Sequence, residues 1–84
     1  MPRFRLIIAG PAGRNLKRIP HPWRDRLEKA IDAVAEDPFR GRKLQSRTGK
    51  WRVRIWPYRI VYRIDKKQKL VEIVQIGHRS SIQY

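Results

Sequence analysis

Residues 49–64, GKWRVRIWPYRIVYRI, alternate large apolar side chains with arginines for almost their whole length. In an extended chain Trp51, Val53 and Ile55 fall on one side, and Arg52 and Arg54 on the other. After Pro57 the pattern resumes, with Tyr58, Ile60, Tyr62 and Ile64 opposed to Arg59, Val61 and Arg63. This period of two predicts two strands, 50–56 and 58–65, joined at Trp56-Pro57. If the apolar side is the core side, the arginines collect on the opposite face. Arg59 and Arg63 join Arg52 and Arg54 there only in the right register, since a slip of one residue would invert them. Like charges on neighbouring strands repel, so folding alone gives no reason to gather them, whereas a polyanion does. Arginine suits that partner because its planar fork matches phosphate oxygens and its charge does not titrate near neutrality.

The rest of the chain supports a small sheet. Residues 3–9, RFRLIIA, predict a first strand that ends at Gly10-Pro11. Ala12, Leu16 and Ile19 fit a short helix over 12–19. Trp23, Leu27, Ala30, Ile31 and Val34 recur every three or four residues, which predicts a helix from Trp23 to Asp37 with one apolar stripe. Asp37-Pro38 ends it, because the residue before proline avoids the α region. Residues 39–50 form a basic loop, anchored by Phe39 and Leu44. DKKQK is a polar turn, and LVEIVQIG gives a last strand at 70–76 whose near-continuous apolar run predicts a central position. The order is β-α-α-β-β-β: an α+β fold with two helices on one face of an antiparallel sheet.

With 84 residues, the chain reads as one domain, 1–84. It has no cysteine, which excludes a disulfide framework or a thiolate metal site and fits a reducing cytoplasm. No apolar run approaches the roughly 18–20 residues of a membrane span, so a membrane partner is not expected. Twenty-one Lys/Arg against seven Asp/Glu give a net charge of +14. Such an excess specifies company, nucleic acid above all. Its distribution is uneven: five of the seven acids lie between Asp25 and Asp37, while Pro38 to Ile64 contains nine Lys/Arg and no acid.

The ending, IGHRSSIQY, places His78, Arg79 and Tyr84 just after the last strand. An imidazole, a guanidinium and a phenol at the rim of a cationic sheet are groups that RNA strand scission can use: one takes the 2′-hydroxyl proton, while others offset charge on the phosphate and protonate the leaving oxygen. Asp65 and Glu72 are isolated, and neither they nor the histidines show metal-ligand spacing. No metal and no cofactor are expected. Lys43, Arg47 and Lys50 read as cations steering an RNA backbone. Trp56 reads as an exposed aromatic that stacks on a base or packs against a partner.

In WRVRI, YRIVY and IGHR, in that order, the chain resembles the RelE toxins of bacterial and archaeal toxin–antitoxin pairs, within the wider RelE/ParE superfamily. The resemblance covers essentially the whole chain. It implies a RelE-like fold and a metal-independent endoribonuclease that enters the ribosomal A site and cuts mRNA, leaving a 2′,3′-cyclic phosphate, and that is restrained by a cognate acidic antitoxin. It also implies roles. Arg52 and Arg54 stand where RelE proteins carry basic residues, often lysine, at the scissile phosphate. Arg59 matches the arginine assigned to transition-state stabilisation, Arg79 another active-site arginine, and Tyr84 the terminal tyrosine that orients a base. Arginine does not readily act as a base, so with arginine at both 52 and 54 that role passes to His78, whose intrinsic pKa lies near working pH. Two alternatives stay open: a ParE-like toxin that inhibits DNA gyrase without cutting RNA, and a non-catalytic RNA-binding module.

Overall fold

A computed structural model describes residues 3–44 and 49–82; Arg47 and Tyr84 lie outside the described residues. The elements in chain order are β1 (Arg5–Ile8), α1 (Gly10–Arg18), α2 (Trp23–Glu36), a single 3-10 turn (Pro38–Arg40), β2 (Arg42–Lys43), β3 (Lys50–Ile55), β4 (Tyr58–Asp65) and β5 (Leu70–His78). They build an α+β fold around a five-stranded sheet with strand order β1-β5-β4-β3-β2. The sheet is mixed rather than wholly antiparallel. β1 runs parallel to β5, because a helical pair separates it from the hairpins and brings the chain back in the same direction. β2, a two-residue strand, is a further addition along the outer edge of β3. β5 is interior, between β1 and β4, as its apolar run requires, and β4 is the middle strand.

The apolar stripe of α2 supplies Leu27, Ile31 and Val34 to the core, where they meet Ile60, Tyr62, Val71, Ile73 and Ile76, all at most 3% exposed. Arg24, at the start of α2, donates to the carbonyls of Lys17 (2.8 Å) and Ile19 (3.0 Å), so it caps the open end of α1 and ties the helices together. At the β4–β5 turn, Asp65 Oδ1 accepts from the Gln68 N–H at 3.1 Å. Among the described residues no helix is long and apolar enough to cross a membrane.

Tyr62 joins the core to the β2 edge. Its ring is fully buried, and its hydroxyl donates to the Pro38 carbonyl at 2.7 Å. Burial pushes its pKa up to about 12, against a smaller lowering by the Gly41 backbone hydrogen bond. The folded state therefore holds the phenol neutral more firmly than the unfolded chain does. That stability is fully present below pH 10 and is lost as pH rises from 10 towards 12, by roughly 2–3 kcal/mol in all. In denaturant titrations at stepped alkaline pH, wild type is expected to weaken across this window. Tyr62→Phe, weaker at neutral pH by roughly 1–3 kcal/mol for the lost hydrogen bond, is expected to lose this component of the pH dependence.

Candidate functional site

The β3–β4 register confirms the pairing of the two arginine rows. Trp51 faces Tyr62, Val53 faces Ile60 and Ile55 faces Tyr58 on the helix side; Arg52 faces Val61, Arg54 faces Arg59 and Lys50 faces Arg63 on the other. Directly opposed residues share a face. Extended across all strands, the side away from the helices reads as three successive rows. The row nearest the β3–β4 turn is Arg54, Arg59 and Gly77. The next is Arg42, Arg52, Val61 and Gln75. The third is Lys50, Arg63, Glu72 and Ile7. The first two rows contain four guanidiniums and no carboxylate. The acids of this face stand at the far end, Glu72 opposite Arg63 and Asp65 one row beyond, opposite Leu70.

Arg3 pairs with Asp32 at 3.2 Å, and His21 Nδ1 lies 3.1 Å from Asp25 Oδ1, both acids belonging to α2. A recess of about 310 Å³ opens among Arg40, Gly41, Arg42, Arg52, Val53 and Arg54. Val61 lies at the centre of the second row and is nonetheless fully buried. Its row neighbours lie low over it, since Arg52 Nε and Gln75 Oε1 are both shut off from solvent. The aliphatic stems of such side chains cover apolar surface while their charged heads reach outward.

Two expected members stand elsewhere. His78 pairs in register with Tyr58, on the helix side, and its ring packs edge-on against Tyr58, with centroids 5.8 Å apart. Tyr58 in turn meets Trp23 of α2. The cause is a bulge in β5. Val61 pairs with Gln75 and Tyr62 with Ile73, so Val74 is an extra residue and every side chain after it changes face. Without the bulge His78 would join the arginines; with it, the imidazole sits in a local turn, its Nδ1 accepting from the Ser80 N–H at 3.3 Å and lying 2.8 Å from Ser80 Oγ. Lys43, expected to steer an RNA backbone, is likewise opposite Trp51, away from the cationic rows, and Arg42 stands among them, opposite Arg52. Arg42 carries no signal in the sequence, because a two-residue strand is too short to show an alternation.

Lys50 is on the arginine side, opposite Arg63. Arg79 and Trp56 meet at the β3–β4 turn, where the Arg79 guanidinium lies 4.4 Å from the indole centroid. Beyond Arg79 the chain folds back, and the Ile82 side chain comes within 3.5 Å of the point where a Cβ on Gly77 would stand, on the side Gly77 shares with Arg59. Among the described residues no three His, Asp or Glu side chains cluster as metal ligands would.

Residues 6–83 match the family described as the ParE toxin of the type II toxin–antitoxin system, parDE. The chain belongs to this toxin family. No protein of curated function matches the sequence. Among solved structures the toxin resembles the RelBE2 toxin–antitoxin complex of Mycobacterium tuberculosis, with 25% identity and a TM-score of 0.84 over 96% of this chain and 97% of that one. It also resembles the archaeal RelE–RelB complex of Pyrococcus horikoshii, at 20% identity and a TM-score of 0.81 over 96% and 100% of the two chains. The intact RelBE complex of E. coli matches at 20% identity and a TM-score of 0.80 over 89% and 95%. The toxin is thus RelE-like in fold, a type II toxin of the RelE/ParE superfamily.

Proposed function

We propose that this toxin is a ribosome-dependent mRNA endonuclease whose own contribution is electrostatic. The observation that carries the reading is the convergence of Arg54 with Arg59 across one strand pair, backed by Arg42 and Arg52 in the next row. In this reaction the ribose 2′-oxygen attacks the adjacent phosphorus and the 5′-oxygen leaves. The products are a 2′,3′-cyclic phosphate and a 5′-hydroxyl. The 2′-hydroxyl proton passes to solvent, and solvent returns one to the leaving oxygen. The phosphorane formed between these steps carries extra negative charge, and fixed guanidiniums on a rigid sheet meet it without reorganising. The reading asks for no metal, because the arginines supply that positive charge.

His78 has no part in it. His78→Ala is expected to keep cleavage within a few-fold of wild type in 5′-end maps of a translated mRNA, whereas loss of activity comparable to an arginine variant would return the imidazole to the reaction. The decisive test of the whole reading is that same map, with and without the toxin, on translating ribosomes.

The match is to a ParE toxin family, which keeps in play the second reading that the superfamily resemblance implies, inhibition of DNA gyrase. A supercoiling assay with purified gyrase separates the two: inhibition there, with an unchanged mRNA map, would select it. The RelB-bound structures of the neighbours and the charge of +14 support a third component, an acidic antitoxin. A groove of about 630 Å³ is lined by Ile7, Ile64 and Leu70 with Arg63, Lys66 and Lys67 and the acids Asp65 and Glu72, so what it offers a partner segment is chiefly apolar area. The partners of this reading are therefore mRNA in the ribosomal A site and that antitoxin, in the cytoplasm.

A further inference from the structure

The turn between β3 and β4 carries an indole that no core accounts for. Trp56 is 66% exposed, more than any other large apolar side chain described. It is not loose. Arg79 lies over one face of the ring, its guanidinium 4.4 Å from the centroid. The Arg79 backbone N–H donates to the Pro57 carbonyl at 2.9 Å, which fixes the guanidinium's root to the same turn. A cation over an exposed ring is worth too little to justify displaying a tryptophan for stability's sake. What the pair does provide is a flat aromatic surface with its orientation set and its charge positive.

Its position matters as much as its chemistry. Trp56 follows Arg54 by two residues, in the turn just past the end of β3 at Ile55. Arg79 follows Gly77 by two, and Gly77 is the register partner of Arg59. The pair therefore stands at the turn end of the Arg54–Arg59 row. An unpaired base attached to a phosphate held by that row lies within reach of the indole. Every base offers a π-face to an aromatic side chain, and purines offer the larger one.

We propose that Trp56, oriented by Arg79, is a stacking platform for an unpaired RNA base beside the phosphate held by Arg54 and Arg59, and that it favours purines. This rests on the ribonuclease reading for the identity of the strand but is tested apart from it. Trp56 is the contact residue; Arg79 is a positioning residue that acts through the indole.

The first measurement is binding of adenylate and uridylate hexamers, read both by tryptophan fluorescence quenching and by a label on the RNA. Wild type is expected to bind the adenylate hexamer more tightly, with quenching that disappears in Trp56→Phe while most binding remains. Trp56→Leu is expected to bind roughly 5- to 150-fold more weakly and to lose the purine preference. Arg79→Lys, which keeps charge without a planar group, is expected to narrow that preference more than it lowers overall affinity. The second measurement is the cleavage map. There Trp56→Leu is expected to raise the half-saturating toxin concentration more than it lowers the maximal rate, and to flatten base preference next to the cut.

Purine-selective quenching through Trp56 without any mRNA cleavage would uphold the platform and reject the nuclease. Cleavage with an unchanged base pattern in a Trp56→Leu protein of wild-type circular dichroism would overturn the platform and leave the nuclease standing. Unchanged hexamer affinity in Trp56→Leu, with lost capture of an acidic antitoxin, would also overturn it, by making the indole a protein contact.

Discussion

Replacing Arg54 and Arg59 together with alanine is expected to abolish mRNA cleavage while leaving a cooperatively folding domain. The two residues are register partners on the face away from the helices. Arg54 is exposed and Arg59 half-buried, so neither truncation opens the core. Removing one preorganised charge-stabilising donor typically costs ~10²–10³ in rate. Groups that act as a unit are not additive, so the double variant is expected to fall to the background of the map rather than to the product of the two losses. Lysine at both positions keeps the charge but loses the planar fork, and partial recovery is expected. Activity is read from 5′ ends on a translated mRNA, and folding from the thermal melt. A double alanine variant that melts as wild type and cuts as wild type would remove the arginine row from the reaction. A variant that no longer melts cooperatively would instead make these residues part of the scaffold.

The part of this site that could be read in advance is the part written as alternation. Residues 51–55 and 58–64 repeat with period two, so one face of each strand was determined, while the register turned on where β3 ends: at Ile55, leaving a two-residue turn that makes Arg54 meet Arg59. β5 defeated the same reasoning. In LVEIVQIG the apolar residues are nearly continuous, and nothing in such a run marks where an extra residue interrupts the ladder. The bulge at Val74 therefore changed the side of everything after it, His78 included. β2 was illegible for a different reason, since a two-residue strand exists only because an edge is there to receive it, and its pairing put Arg42 rather than Lys43 beside Arg52. The parallel direction of β1 likewise belongs to the path of the chain through two helices and not to residues 5–8 themselves.

How β2 is held gives the second large effect, expected for Gly41→Ala. Gly41 precedes β2 in ordinary extended backbone, with φ −76° and ψ −179°, so an alanine there is not strained by its dihedrals. Space is the obstacle. An added Cβ would run into the Tyr62 hydroxyl and stand 2.9 Å from the Arg52 carbonyl oxygen, which is backbone of β3 and cannot swing aside. Either β2 moves off β3, taking Arg42 out of its row, or the Tyr62 hydroxyl leaves the Pro38 carbonyl it bonds at 2.7 Å. Overpacking of this kind costs roughly 1–3 kcal/mol, and each kcal/mol is about 4–8 °C of Tm in a chain this small. Gly77→Ala is the matched control, because its Cβ would meet Ile82 at an ordinary 3.5 Å, and a much smaller change in Tm is expected. Combining Gly41→Ala with Tyr62→Phe removes the hydroxyl that the new methyl strikes. The double variant is then expected to be more stable than the sum of the two single losses, a coupling that only residues sharing one space produce. Strict additivity in that cycle, or a Gly41→Ala protein that melts with wild type, would mean that the tyrosine and the glycine do not jointly set the position of the β2 edge.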